Sequence, residues 1–256
     1  MAKYKNQHKP YGPYEKYFKR PLDFLFSLLA LIILSPILLI TYILVIIFLG
    51  FPGIFKQPRP GRDEKIFNLY KFRTMTNTKD KNGKLLPDEK RLTKFGKFLR
   101  STSLDELPEL FNILIGDMSF IGPRPMLVRD LVFFDKKTLK RQTIMPGLTG
   151  LAQSSGRNSI TWDERFRYDL QYVEKVSFRN DAQIVLMTIS SVLKREGIGE
   201  NNTDVSLDYG DYLLKNKTIT KSLYDAKQKA AENILANIRS FNRLSLDARR
   251  AMYENS

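Results

Sequence analysis

The chain has no cysteine and only one histidine and one tryptophan among its 256 residues. Without thiols there are no disulfides and no thiolate metal sites. The lone His8 sits in a polar leader beside Lys9 and Pro10, which argues against a histidine-based active site or a His-rich zinc centre. Any chemistry therefore falls to carboxylates, hydroxyls and cations. Charge is missing from one stretch altogether, since Phe24 to Phe51 holds no Asp, Glu, Lys or Arg. That run is long enough for a membrane element and too long for an ordinary buried helix. No small-residue cleavage site follows it, which argues against a removed signal peptide.

Elsewhere the chain is strongly basic, with a formal net charge of +15. Nucleic acid, anionic lipid and phosphorylated substrates all match that sign. Position narrows the choice. Residues 71–100 carry ten Lys/Arg against three acids, directly downstream of the apolar run. Basic residues flanking an apolar anchor read first as contacts to an anionic leaflet, so membrane lipids rather than nucleic acid are the expected partner.

The chain divides into a basic leader (1–20), a membrane helix (21–50), a cytosolic domain (51–200) and an extension (201–256) that is partly helical from Lys221 to Arg250. The expected fold is mixed α/β and mostly helical. Phe67 to Arg73 reads as a strand, which would project Lys71 and Arg73 from one face. A basic amphipathic helix is expected over about 91–100, suited to the membrane interface, with further helices at about 104–115, 126–140, 162–173 and 181–195. Inside the apolar run, Pro36 withholds an N–H and clashes with the Ile32 carbonyl, so a kink is expected at Ser35-Pro36. The Ser35 hydroxyl is a candidate to satisfy the freed carbonyl. The halves, Phe24–Leu34 and Ile37–Leu49, are each roughly 16–20 Å long, short of a ~30 Å hydrocarbon core. Basic flanks on both sides favour a helix that enters and leaves on the cytoplasmic face. A Pro-kinked spanning helix stands equal to it on these grounds.

The most informative segment is Arg100-Ser101-Thr102-Ser103-Leu104-Asp105-Glu106-Leu107-Pro108. Ser103 and Glu106 have the spacing of a capping box. Asp105 and Glu106 would also project about 100° apart on a helix, so that one can attack phosphorus while the other holds a metal ion. Arg100 lies one turn away, and helix N-termini favour anions. In Gly122-Pro123-Arg124-Pro125, the prolines restrict the preceding residues and would hold one guanidinium in a stiff loop for phosphate contact. Lys71, Arg73 and Arg157 are weaker candidates for holding substrate phosphates.

Together these motifs resemble the bacterial sugar transferase family, the monotopic polyprenyl-phosphate phosphoglycosyl transferases. The matching pieces include Lys19-Arg20 with Asp23, Ser35-Pro36, Arg59-Pro60-Gly61 and Tyr70-Lys71-Phe72-Arg73-Thr74-Met75. They continue through Arg100 to Leu107, Gly116-Asp117-Met118-Ser119-Phe120, Gly122-Pro123-Arg124-Pro125, Pro146-Gly147 and Gly156-Arg157-Asn158, over about residues 14–198. The compact length is most similar to the small transferases that move diacetylbacillosamine phosphate to undecaprenyl phosphate. The resemblance implies a re-entrant helix broken at Ser35-Pro36, on the cytoplasmic face of the bacterial inner membrane. It implies a UDP-sugar donor, with an N-acetylated amino sugar, and a polyprenyl phosphate acceptor. Asp105 would be the nucleophile, Glu106 a ligand of Mg²⁺, and Lys71, Arg100 and Arg124 the holders of phosphate. Gly150-Leu151-Ala152-Gln153-Ser154-Ser155 departs from the family's usual Gly-Trp-Ala-Gln-Val-Asn at that place. The resemblance ends near residue 200, so a truncation near Asn201 is expected to stay active. The extension's role, including self-association as a homodimer, is left open. A non-catalytic anchored anion-binding or scaffold protein is the competing reading.

Overall fold

A computed structural model of the protein describes residues 8–156, 160–193 and 207–254. A wide helical turn, Tyr14–Phe18, leads into α1, Lys19–Leu49. α1 continues as one helix across Pro36, where a kink was expected. Pro36 has no N–H to offer the Ile32 carbonyl, and that carbonyl instead accepts the Ser35 hydroxyl at 2.8 Å. One stripe of α1, from Asp23 through Ser27, Leu31, Thr41 and Val45 to Leu49, is buried. The opposite side leaves Ile32, Ile33, Ile40 and Ile47 exposed. It is long and apolar enough to cross a membrane.

Both ends of α1 are fastened to the same domain. At its start, Arg20 donates to the carbonyls of Ile113 (2.6 Å) and Leu114 (2.8 Å), and the Asp23 carboxylate accepts the Phe120 N–H at 3.1 Å. At its end, Arg73 donates to the carbonyls of Leu49 and Gly50. Between these anchors Leu31 packs on Leu69, Leu110, Ile113 and Met118, while Val45 and Leu49 pack on Phe72 and Leu99. Side chains of this size contribute ~1.5–3 kcal/mol each on full burial.

The domain begins with an antiparallel hairpin, β1 (Ile54–Pro60) and β2 (Ile66–Phe72), registered from Ile54 against Phe72 to Pro60 against Ile66. Pro58 and Pro60 lie on β1, which has no further strand beside it among the described residues, so their missing N–H groups cost the sheet nothing. Short α2 (Asp88–Arg91) and α3 (Lys94–Ser101) follow. The Thr93 hydroxyl caps α3 by accepting the Gly96 N–H at 3.0 Å. A Cβ on Gly96 would overlap the Thr74 carbonyl, so only glycine lets α3 lie this close to the chain leaving β2.

Next comes α4 (Glu109–Ile115), which stops at Gly116, φ 93°, in the left-handed conformation that glycine supplies without strain. β3 (Ser119–Ile121) and β4 (Gly147–Thr149) form a two-stranded parallel ladder. The helix expected over 126–140 is instead broken into α5 (Val128–Leu131) and a 3₁₀ turn at Thr138–Thr143. Short α6 (Leu151–Ser154), α7 (Trp162–Glu174) and α8 (Phe178–Leu193) complete the domain.

The extension forms α9 (Tyr209–Lys215) and α10 (Lys221–Glu254). It packs on the domain, with Tyr209 and Tyr212 joining Met126, Leu131, Phe134, Trp162 and Phe166 in one cluster. Arg129, on α5, pairs with Asp208 at 3.0 Å and Asp211 at 3.1 Å.

Candidate active site

Asp105 and Glu106 lie in a 3₁₀ turn, Leu104–Glu106, just ahead of α4. The expected capping box between Ser103 and Glu106 does not form. Ser103 has a left-handed backbone (φ 56°), which places its side chain out of capping geometry, and it makes no cap hydrogen bond. The Glu106 carboxylate turns instead towards two distant cations. Lys71 Nζ donates to Glu106 Oε1 at 2.6 Å, and Arg124 Nη2 donates to the same oxygen at 2.9 Å. Burial would raise the Glu106 pKa, but Arg124 and Lys71 together outweigh it and hold the group ionised, well below the usual carboxylate range.

A third carboxylate, Glu109, stands 3.1 Å from Lys71 Nζ and is almost wholly buried. Its Oε1 nevertheless has no well-aligned hydrogen bond. Burial, with Glu106 adding repulsion and Lys71 opposing both, pushes Glu109 up to about 7. Asp105 contrasts with both neighbours. It is 8% exposed and belongs to none of the ion pairs among the described residues. Burial and the adjacent Glu106 raise its pKa, with Lys71 and Arg100 pulling the other way. Arg100 itself is exposed and held by Nε donating to Thr74 Oγ1 at 3.0 Å.

Lys71 reaches this cluster because α4 is stitched to β2. Asn112, fully buried on α4, donates to the Asn68 carbonyl at 2.8 Å and accepts the Tyr70 N–H at 3.0 Å. Arg124 is presented by a loop held at several backbone groups. Gly122 N–H donates to the Thr149 carbonyl, and the Gly147 N–H to the Pro123 carbonyl, each at 3.0 Å. Arg141 Nη2 donates to the Arg124 carbonyl at 2.7 Å, and Arg59 Nη1 to the Pro125 carbonyl at 3.0 Å. Arg141 is itself locked by Asp169 at 2.7 Å, both side chains being 1% exposed. A loop held this way costs little to keep in place when an anion binds.

The structure thus brings Lys71, Asp105, Glu106 and Arg124 together, with Arg100 on the Asp105 side. Arg73 is not among them. β2 ends at Phe72, so the two-residue alternation that would have put Arg73 beside Lys71 stops one residue short. Its buried guanidinium serves the last carbonyls of α1, where a cation also complements the helix dipole. Arg157 lies outside the described residues. Glu109, Asn112, Arg141 and Asp169 were not anticipated. Glu109 had a usable signal, being three residues after Glu106 on a helical segment, whereas the other three act only across the fold.

No three metal-binding side chains come together among the described residues. The donors that fit a hard cation are Glu106 Oε2 and the neighbouring Asp105. A Mg²⁺ there would rely on substrate phosphate for most of its shell, a common arrangement for that ion.

Residues 14–195 match the family described as bacterial sugar transferase. The sugar transferase EpsL of Bacillus subtilis is 46% identical over 184 residues, which span 72% of this chain and 91% of that protein. The undecaprenyl-phosphate galactose phosphotransferase of Salmonella typhimurium is 37% identical over 71% of this chain and 42% of its own length. The UDP-glucose:undecaprenyl-phosphate glucose-1-phosphate transferase of Klebsiella pneumoniae is 42% identical over 67% and 39% respectively. The chain therefore spans about two fifths of those two larger relatives and nearly all of EpsL. It belongs to the bacterial sugar transferase family and is an enzyme of the phosphoglycosyl transferase class.

Proposed function

We propose that the protein transfers a sugar 1-phosphate from a UDP-sugar to undecaprenyl phosphate through a covalent intermediate on Asp105. The observation that carries this reading is the contrast between two adjacent carboxylates. Glu106 is tied to two cations, while Asp105 is buried without an ion pair among the described residues. Desolvation strips water from a carboxylate and strengthens it as a nucleophile, and the charges of Lys71 and Arg100 favour the ionised form that attacks.

In the first half-reaction an Asp105 carboxylate oxygen attacks the phosphorus that bears the sugar. The bond to the bridging oxygen breaks, and its electron pair leaves with UMP. Arg124 and Lys71 offset charge on the phosphoryl oxygens, and Arg100 does so from the Asp105 side. In the second half-reaction a phosphate oxygen of undecaprenyl phosphate attacks the same phosphorus, and Asp105 departs as a carboxylate. No proton need be gained or lost by the enzyme. A Mg²⁺ held by Glu106 and the diphosphate would supply further charge neutralisation.

We place the site at the cytoplasmic face of the bacterial inner membrane. A helix crossing the bilayer would separate its ends by the full membrane, yet both ends of α1 are bonded to one water-exposed domain. That supports a helix that enters and returns. The missing cysteines make the test direct: single cysteines at Lys9 and Lys65 should both react from the cytoplasmic side. Reaction of Lys9→Cys from the periplasm alone would mean a spanning helix.

The relatives are named for galactose and glucose, while the resemblance to the small transferases implies an N-acetylated amino sugar. A panel of UDP-sugars, scored for UMP release with undecaprenyl phosphate present, separates them. Without acceptor, the correct donor should release at most one UMP per enzyme and leave a phospho-sugar mass on Asp105. UMP release strictly dependent on acceptor would point to direct transfer instead.

A further inference from the structure

Arg165 lies on α7, one turn before Asp169. Residues four apart share a helix face. The Asp169 carboxylate holds Arg141 through Oδ2, and Arg141 donates to the Arg124 carbonyl, so this face of α7 backs the loop that presents Arg124. The Arg165 guanidinium is set over the Trp162 ring, 4.6 Å from its centroid, a cation–π contact that fixes its orientation.

What Arg165 lacks is an anion. Among the described residues no carboxylate lies within ion-pair distance of it, and no side chain or carbonyl accepts a hydrogen bond from it. Asp169 Oδ2 is occupied by Arg141, and Asp169 Oδ1 is buried without any hydrogen-bond partner. Burial lowers the Arg165 pKa to about 10, and the like charge of Arg124 adds to that effect. The like charges of Arg124 and Arg141 both bear on Arg165, and of these three guanidiniums only Arg124 and Arg141 have carboxylate partners among the described residues.

We propose that Arg165 is a substrate-binding residue that pairs with Arg124 to receive the diphosphate of a nucleoside diphosphate. The assignment rests on the phosphoglycosyl transferase reading above. A diphosphate offers two adjacent anionic centres, and two guanidiniums can each grip one with paired N–H donors. A diphosphate also relieves the repulsion between Arg165 and Arg124, so binding is favoured by charge already present in the free protein. Arg124, closer to Glu106, serves the phosphorus under attack. Arg165, on α7 behind that loop, serves the phosphate that leaves with the nucleoside.

The test is equilibrium binding of UDP to the full chain in lipid nanodiscs, by calorimetry, for wild type, Arg165→Gln and Arg165→Lys. Arg165→Gln should weaken UDP about tenfold or more, the usual scale for a lost charge-assisted contact. Arg165→Lys should recover most of that loss. In turnover, Arg165→Gln should raise KM for the UDP-sugar while leaving KM for undecaprenyl phosphate unchanged. UDP binding within twofold of wild type in Arg165→Gln would overturn the proposal, as would no UDP binding by wild type. If Arg165→Gln fails to fold, Arg165→Met, which keeps an unbranched stem beside Trp162, decides: UDP weakened about tenfold or more with unchanged melting supports the proposal, and UDP binding within twofold of wild type overturns it. Absence of UMP release by a wild type that binds UDP would instead overturn the functional reading and leave this subsite standing.

Discussion

Lys71 and Arg124, 53 positions apart in the chain, meet on one oxygen of Glu106, at 2.6 and 2.9 Å. Glu106 is therefore the post that spaces the two cations proposed to hold phosphate, besides its proposed part in metal binding. Removing its charge frees both cations and leaves them repelling each other. Glu106→Gln should abolish turnover or cut it by at least a hundredfold, and chelation by EDTA should abolish wild-type activity. Undiminished activity of Glu106→Gln at ordinary Mg²⁺ would remove the residue from both roles.

Glu109 predicts a pH signature. Its folded pKa is raised from 4.5 to about 7, so the folded state binds this proton more tightly than the unfolded state. The stabilisation linked to it is fully present below pH 4.5 and is lost as pH rises through about 7. Glu109→Gln, which stays neutral and nearly isosteric, should flatten that decline. At pH 8 the variant should be more stable by on the order of 1–3 kcal/mol. A thermal-melting series from pH 5 to pH 8 checks it. Parallel curves for wild type and variant would show that Glu109 stays charged in the fold.

The extension predicts a division between stability and chemistry. Tyr209 packs edge-on to Phe166 at 5.0 Å and lies 5.2 Å from Trp162, so truncation near Asn201 uncovers a cluster that is otherwise buried. The family match ends at residue 195, upstream of these contacts. The truncated protein should melt several degrees lower and still turn over when folded. Tyr209→Ala alone should cost about 1–3 kcal/mol, less than a fully buried aromatic because Tyr209 is partly exposed. Loss of UMP release in a truncation that melts normally would make the extension part of the catalytic machinery.

How much of this could be read from the sequence depends on how far each interaction reaches along the chain. The apolar anchor, β2 and the Ser35–Ile32 contact were legible because they follow from neighbours within four residues. Asp105, Glu106, Lys71 and Arg124 were legible through their motifs, although not their contacts. The capping box failed because a local rule competed with Lys71 and Arg124, which lie 35 and 18 residues away and carry full charge. Arg73 was misplaced by one residue of strand. Arg141 and Asp169 were invisible, since a buried ion pair across 28 residues leaves no periodic trace. Arg165 likewise shows only as a basic residue on a helix until α7 is seen against the Arg124 loop.

Asp105→Asn separates chemistry from structure most sharply. The turn that holds Asp105 is formed by backbone contacts, with the Glu106 N–H donating to the Ser103 carbonyl at 3.2 Å and the Leu107 N–H to the Leu104 carbonyl at 3.3 Å. Asn fills the same volume, so the fold and the Lys71–Glu106–Arg124 cluster should persist, and removal of a buried charge should leave melting unchanged or slightly higher. An amide oxygen is a far poorer nucleophile than a carboxylate, however, and cannot form the acyl-phosphate. The variant should bind UDP like wild type, release no UMP and gain no mass from a UDP-sugar. If Asp105→Asn turns over at the wild-type rate after mass analysis has excluded deamidation back to Asp, the nucleophile lies elsewhere. Glu109 would then be the next carboxylate to test, because it shares Lys71 and is already shielded from water.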